Sequence, residues 1–206
     1  MNFRTELERR KGKRDQVEQN LLESKQQIRQ LTKSIKQIEK AQAVIQIVAQ
    51  KTQQELKYHI SEIVTLAMDA VPTSPTNKPY VFDMDFVVRR GKTEVDLYFV
   101  RNSNRMHPLR SSGVGAADIA SFALRVALHN LKRPRTRNVL ILDEPFKHLK
   151  GEEANRLAIQ MVKEISVKLG LQIITVSDER AAIEDIENGA DKVFRVSIDK
   201  GVSKIN

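Results

Sequence analysis

Asp143 and Glu144 follow four apolar residues, Val139 to Leu142, in the stretch NVLILDEPF. An apolar strand delivers two such carboxylates to its carboxyl end, where open α/β sheets take their ligands. In a phosphate-transfer site the first acid holds magnesium, directly or through water. The second orients and deprotonates an attacking water. The plainer alternative is a buried strand ending in a polar turn, and Pro145 directly after the pair favours the site.

Two other groups invite chemistry and do not carry it. Gly91-Lys92-Thr93 spells the tail of a Walker A loop, but that pattern needs a further Gly five residues upstream, where Phe86 stands. The triplet lies in a hairpin turn with no helix to follow. No other Gly-Lys pair precedes Ser or Thr, so the chain does not cradle a nucleoside triphosphate unaided. His59 has no Cys and no second His at ligand spacing, and reads as a tolerated polar residue on a helical seam. The chain has no cysteine, which excludes disulfides and thiolate metal sites.

The elements that must position the acid pair follow from periodicity. Apolar residues recur every seventh position from Leu7 to Leu66. One row runs through Leu21, Ile28, Ile35, Leu56 and Ile63, the other through Val17, Leu31, Ile38, Ile45 and Leu66. A strict heptad sustained this long predicts a supercoiled helix with a partner strand. Sixty residues of helix span roughly 90 Å. Gly12, Arg10, Arg14, Ser24 and Gln42 weaken the coil locally. The chain is thus expected to hold a coiled-coil arm at 1–70, a Pro-rich linker at 71–79 (VPTSPTNKP) and an α/β lobe at 80–206.

In the lobe, Tyr80 to Val88 and Thr93 to Val100 alternate with period two around Arg89–Gly91, a hairpin. Ile119, Phe122, Ala123, Val126 and Ala127 share one helical face. Residues 152–169 form an amphipathic helix stopped by Gly170. LQIITVSDE reads as a second buried strand, 179–187 as a short helix, and Lys192–Ile198 as a third strand. Alternation of apolar strands with helices predicts a mainly parallel sheet covered by helices.

The net charge is +9 and unevenly spread. Residues 89–137 hold 11 Lys/Arg against 3 Asp/Glu, whereas residues 143–206 hold 10 against 12. Basic regions attract phosphate backbones by counterion release. Arg89, Arg90, Lys132, Arg133, Arg135 and Arg137 are the DNA-binding candidates, the alternative being a basic solvated surface. No run of about 18 apolar residues suits a membrane span, and the basic amino terminus lacks the apolar segment of a secretory signal. The protein is expected in the cytoplasm of a bacterial or phage-infected cell.

NVLILDEPF resembles the Walker B motif of ABC-type ATPases. SSGVGAADIASFALRVAL resembles their signature motif and the helix after it. The spacing of the two is similar to that of the SMC, SbcC and double-strand-break-repair branch, and the LDEPF block resembles compact phage recombination members. The resemblance covers nearly the whole chain. It implies an ABC/SMC-type P-loop NTPase carboxyl-terminal lobe behind the descending arm of a long coiled coil.

The resemblance implies specific roles. Glu144 is the catalytic residue and Asp143 the magnesium ligand. Ser112, Gly113 and Gly115 meet the γ-phosphate of ATP held on an opposite head, since a Ser and glycines before a helix offer N–H groups and a hydroxyl aided by the helix dipole. Arg125 couples nucleotide state to the arm, or is a surface or salt-bridged arginine. Lys147, Lys150, Ser177 and Asp178 are the D-loop and switch candidates.

The sequence departs from the pattern at several points. Without gaps the signature Ser falls on Gly113, Ala116 replaces the usual Glu, Lys150 replaces the D-loop Asp, and Ser177-Asp178 stand where a switch His is expected. An Asp near a γ-phosphate repels it. The implied partners are a lobe bearing Walker A, a coiled-coil partner helix, DNA and a nuclease subunit, with no membrane. Two functions compete: half of a composite ATPase for DNA repair, recombination or end processing, and a non-hydrolysing DNA-binding or regulatory protein derived from one.

Overall fold

A computed structural model describes residues 3–73, 78–111, 113–177, 182–199 and 201–205. The chain divides into two compact units, residues 1–54 and 55–206. The first helix, α1 (Phe3–Ala70), contributes to both.

In the first unit every described residue but one is exposed, including the seam residues Leu21, Ile28, Ile35, Ile38 and Ile45. The absence of proline before Pro72 and the wealth of Gln, Lys, Glu and Leu keep the segment helical. Gly12 does not interrupt it.

In the second unit α1 buries a different stripe. Ile60, Val64, Ala67 and Met68 are in the core, a three-and-four spacing that follows the period of an ordinary helix. The heptad residues Ile63 and Leu66 stay exposed. The seam expected to run on to Leu66 is therefore not the face this unit buries.

Strands β1 (Val81–Arg89), β2 (Lys92–Arg101) and β3 (Asn104–Met106) form an antiparallel sheet in sequence order. Arg89 pairs with Lys92 around Arg90 (φ 51°) and Gly91 (φ 72°). Two central residues with positive φ make the tight turn that matches strand twist, so Gly91-Lys92-Thr93 is a hairpin corner. Phe82 and Phe99 are fully buried, and Tyr80 stacks on Phe99 at 5.4 Å. The Phe82 N–H donates to Thr65 Oγ1 at 3.0 Å, which ties β1 to α1. The expected linker is partly core, because Val71 is buried; residues 74–77 lie outside the described residues.

A short helix α2 (Pro108–Ser111) precedes α3 (Val114–Leu131), which buries Ile119, Phe122, Ala123, Val126 and Ala127 as its periodicity predicts. Then come β4 (Val139–Asp143), α4 (Glu152–Leu169), β5 (Gln172–Val176), α5 (Ile183–Gly189), β6 (Val196–Asp199) and β7 (Val202–Ile205). Gly170 caps α4 in the left-handed region, its N–H reaching Ser166 and Val167 carbonyls.

The expectation of a mainly parallel sheet is corrected. Among the described residues β4 and β5 are the one parallel pair, and β6 pairs antiparallel with β7 instead of extending it. Only two residues separate β6 from β7, too few for the crossover a parallel pair requires.

The two parallel strands are also not buried on both faces. Leu140, Leu142 and Ile173 meet the core with Phe122, Ala158 and Met161. On the other face Ile141, Ile174 and Val176 are 73%, 46% and 55% exposed. The apolar run reads as fully buried, yet α3 and α4 cover one side alone.

Candidate functional site

Parallel pairing sets Asp143 beside Val176, and the Glu144 N–H continues the ladder to the Val176 carbonyl at 3.0 Å. Glu144 then leaves the strand at φ 40°. The left-handed region is uncommon for a residue with a Cβ. Holding one there costs on the order of 1–3 kcal/mol, and such residues gather at functional sites.

The turn that holds Glu144 is closed locally. Lys147 N–H donates to the Glu144 carbonyl at 3.2 Å, and Leu149 N–H to the Phe146 carbonyl at 3.0 Å. Phe146 packs edge-on against Phe122 of α3 at 5.4 Å, and Leu149 is buried. Lys147 Nζ approaches Glu144 Oε2 at 3.3 Å in a half-exposed pair, which contributes little to stability.

α3 forms the facing wall. Asp118, Ser121, Phe122 and Arg125 line one cleft with Leu142, Asp143, Glu144 and Pro145, an open space of about 440 Å³. Asp118 Oδ2 accepts the His148 N–H at 2.8 Å, so the wall is fastened to the turn.

The structure thus brings Asp143, Glu144 and Arg125 together around the cleft, with Lys147 Nζ 3.3 Å from Glu144 Oε2. Ser177 directly follows Val176, the last residue of β5, whose carbonyl accepts the Glu144 N–H. Lys150 is exposed just before Gly151, the residue preceding α4. Gly113 has φ 82° at the start of α3. Gly115 packs closely on the turn: a Cβ there would come within 3.1 Å of the His148 carbonyl oxygen. Ser112 and Asp178 lie outside the described residues.

Asp118, Ser121 and His148 were not singled out from the sequence. Asp118, Ser121 and Arg125 follow one another at spacings of three and four, which puts them on one helix face; that polar edge was the available signal. His148 becomes informative only once the turn is folded.

The basic candidates sit on two elements. Arg89 on β1 is bound to Asp96 at 2.5 Å and Glu94 at 3.2 Å, bonds that raise its pKa further. Arg90 is exposed at the hairpin corner. Lys132, Arg133, Arg135 and Arg137 are exposed in the connection from α3 to β4. Arg133 donates to the Asn130 and Lys132 carbonyls at 3.1 and 3.0 Å.

Among the described residues no three His, Cys, Asp or Glu side chains gather as a metal cage. Magnesium does not need one. It commonly takes one or two carboxylates and fills the remaining positions with water and phosphate oxygens. The oxygen-only pair Asp143–Glu144 fits that habit. None of the described helices is long and apolar enough to cross a membrane.

No protein-family model and no curated protein matches the chain. Solved structures do. A chain from work on ATP-driven dimerization and DNA-stimulated activation of SMC ATPases aligns with a TM-score of 0.52 at 19% identity, over 77% of this chain and 86% of that one. The Smc head domain of Pyrococcus furiosus, with an extended coiled coil and bound to the C-terminal domain of ScpA, aligns with a TM-score of 0.55 at 18% identity over 76% of this chain. The Smc head domain of Pyrococcus yayanosii, with a coiled coil and joint, gives 0.55 at 17% over 78%. The chain spans 35% and 28% of those two longer chains. At these identities the likeness is one of fold alone: the chain folds like part of an SMC head domain with a helical arm.

Proposed function

We propose that this chain is the carboxyl-terminal half of a composite ABC/SMC-type ATPase that acts on DNA in repair, recombination or end processing. The ATP site is completed by a lobe bearing Walker A, on a separate chain or another segment. The observation that carries the reading is the cleft between β4 and α3, lined by Asp143 and Glu144 on one side and Asp118 and Arg125 on the other.

Asp143 would hold magnesium, which when bound supplies charge neutralisation on the phosphates. The Glu144 carboxylate takes up the proton of the attacking water, a role its rigid backbone suits. Gly113, with Ser112 before it, presents the start of α3 to the nucleotide on the opposite head. The exposed apolar row of α1 binds a partner helix. Lys132, Arg133, Arg135 and Arg137 meet DNA, and a nuclease subunit completes the assembly.

A regulator without turnover is the second reading. Lys150 and Ser177-Asp178 in place of the usual D-loop and switch residues favour it. Affinity capture of the tagged chain from its native cell separates the two. Recovery of a protein with GxxxxGK[ST] followed by heptads, and ATP turnover by the pair that Glu144→Gln lowers at least about 100-fold, establishes the composite ATPase. Turnover indifferent to Glu144→Gln, or no such protein, overturns it.

A further inference from the structure

We infer that Asp118 is a positioning residue that latches the start of α3 to the turn carrying Glu144. The inference rests on the composite-ATPase reading and adds to it a residue that neither motif contains.

Two contacts grip the same dipeptide from opposite polar edges. Asp118 Oδ2 accepts the His148 N–H at 2.8 Å, and both carboxylate oxygens lie 3.3–3.4 Å from His148 Nδ1. One helical turn earlier, Gly115 faces the other side. An added Cβ would stand 3.1 Å from the His148 carbonyl oxygen and 3.4 Å from Leu149 Cα. The N–H of His148 is thus held by a charge-assisted bond, and its carbonyl rests against bare Cα. The Asp118 side chain is 18% exposed and that of His148 51%, and the carboxylate charge is what strengthens the bond.

The turn between His148 and Glu144 is stiff. The Lys147 N–H closes onto the Glu144 carbonyl and the Leu149 N–H onto the Phe146 carbonyl. Glu144 itself sits at φ 40°, a conformation that persists only when its surroundings enforce it. A shift of the first two turns of α3 is therefore transmitted to the turn through His148 rather than absorbed by slack. In the proposed function the start of α3 meets nucleotide from another head. The latch makes arrival of that nucleotide and alignment of the Glu144 carboxylate one event. A capping role in stability alone would need the bond, but not its connection to Glu144.

The test uses the chain with its Walker A-bearing partner, and hydrogen exchange on the complex. Asp118→Ala should speed exchange of the His148 amide. It should lower kcat about ten- to a hundredfold, the scale of a small misplacement of a reacting group, with KM for ATP changed less than about twofold. Asp118→Asn keeps an acceptor oxygen and should restore both. His148→Ala keeps the backbone N–H and should cost less than Asp118→Ala. Unchanged kcat in Asp118→Ala alongside faster exchange would reduce Asp118 to a structural cap and overturn the inference. So would an Asp118→Asn variant as slow as the alanine. Glu144→Gln is run in parallel. If turnover ignores it, the ATPase reading falls and takes the latch with it; if turnover responds to Glu144 but not to Asp118, the latch alone falls.

Discussion

Lys57 Nζ on α1 lies 2.8 Å from Asp85 Oδ1 on β1, and 2.9 Å from Asp83 Oδ1. Arg105 on β3 closes the group, reaching Asp85 at 2.7 Å and also binding Asp83. Two cations and two anions thus join the base of the helix to both strands. Bonds from Arg105 and Lys57 hold the Asp85 carboxyl down at about 2. Burial pushes Asp83 up, but bonds from Lys57, Arg105 and the Met84 N–H outweigh it and hold that group below the ordinary range as well.

A pH dependence follows. Asp85 titrates lower folded than its ordinary 3.8, so its contribution is complete above about pH 4 and is lost as pH falls toward 2. Lys57→Met should lower stability at neutral pH by up to about 1 kcal/mol and flatten the loss between those two pH values. Circular dichroism melts across the acid range read this directly. Superimposable profiles for the two proteins would remove the cluster from the acid response.

The left-handed Glu144 predicts opposite effects on stability and activity. Gly adopts φ 40° freely, so Glu144→Gly should raise folded stability by about 1 kcal/mol while abolishing turnover in the complex. Glu144→Gln should leave stability near its starting value. Thermal melts of both variants check this, and a glycine variant less stable than the parent would mean that the Glu144 side chain outweighs its backbone cost.

The two faces of the parallel strands should respond differently to truncation. Leu142 is buried in the core, and Leu142→Ala should cost about 2–5 kcal/mol. Ile141, one residue earlier and 73% exposed, should tolerate Ser within about 0.5 kcal/mol. Urea unfolding of the isolated chain distinguishes them, and equal costs would place a covering element over Ile141.

Lys92 is the basic residue of a false phosphate loop, paired with Arg89 at a hairpin corner. Lys92→Ala should leave ATP turnover of the complex unchanged. A loss comparable to that of a true phosphate-loop lysine would contradict the hairpin assignment.

The exposed Arg135 and Arg137 should each contribute one phosphate contact if this connection meets DNA. Replacing both by Ala should reduce the slope of log K against log salt by about two, uniformly across sequences. An unchanged slope assigns DNA contact elsewhere.

Local spacing by itself determined the long helix, the hairpin at Arg90-Gly91, the buried face of α3, the helix ended by Gly170, and the arrival of Asp143 and Glu144 at a strand end. Each follows from a period of two, seven or 3.6 residues, or from the φ that a turn demands, and none requires knowledge of distant residues. The tertiary structure decided the rest. In the second unit it placed the buried stripe of α1 on Ile60, Val64, Ala67 and Met68 instead of the heptad residues Ile63 and Leu66, because the face that packs on a lobe core need not be the one a coiled partner selects. It turned β6 into a hairpin, which a two-residue connection to β7 compels. It left one side of β4 and β5 open, since an apolar run states that a strand is to be covered but not by what. It also joined Asp118 to His148 across 30 positions, a bond between one polar side chain and one backbone N–H that leaves no periodic trace in the sequence.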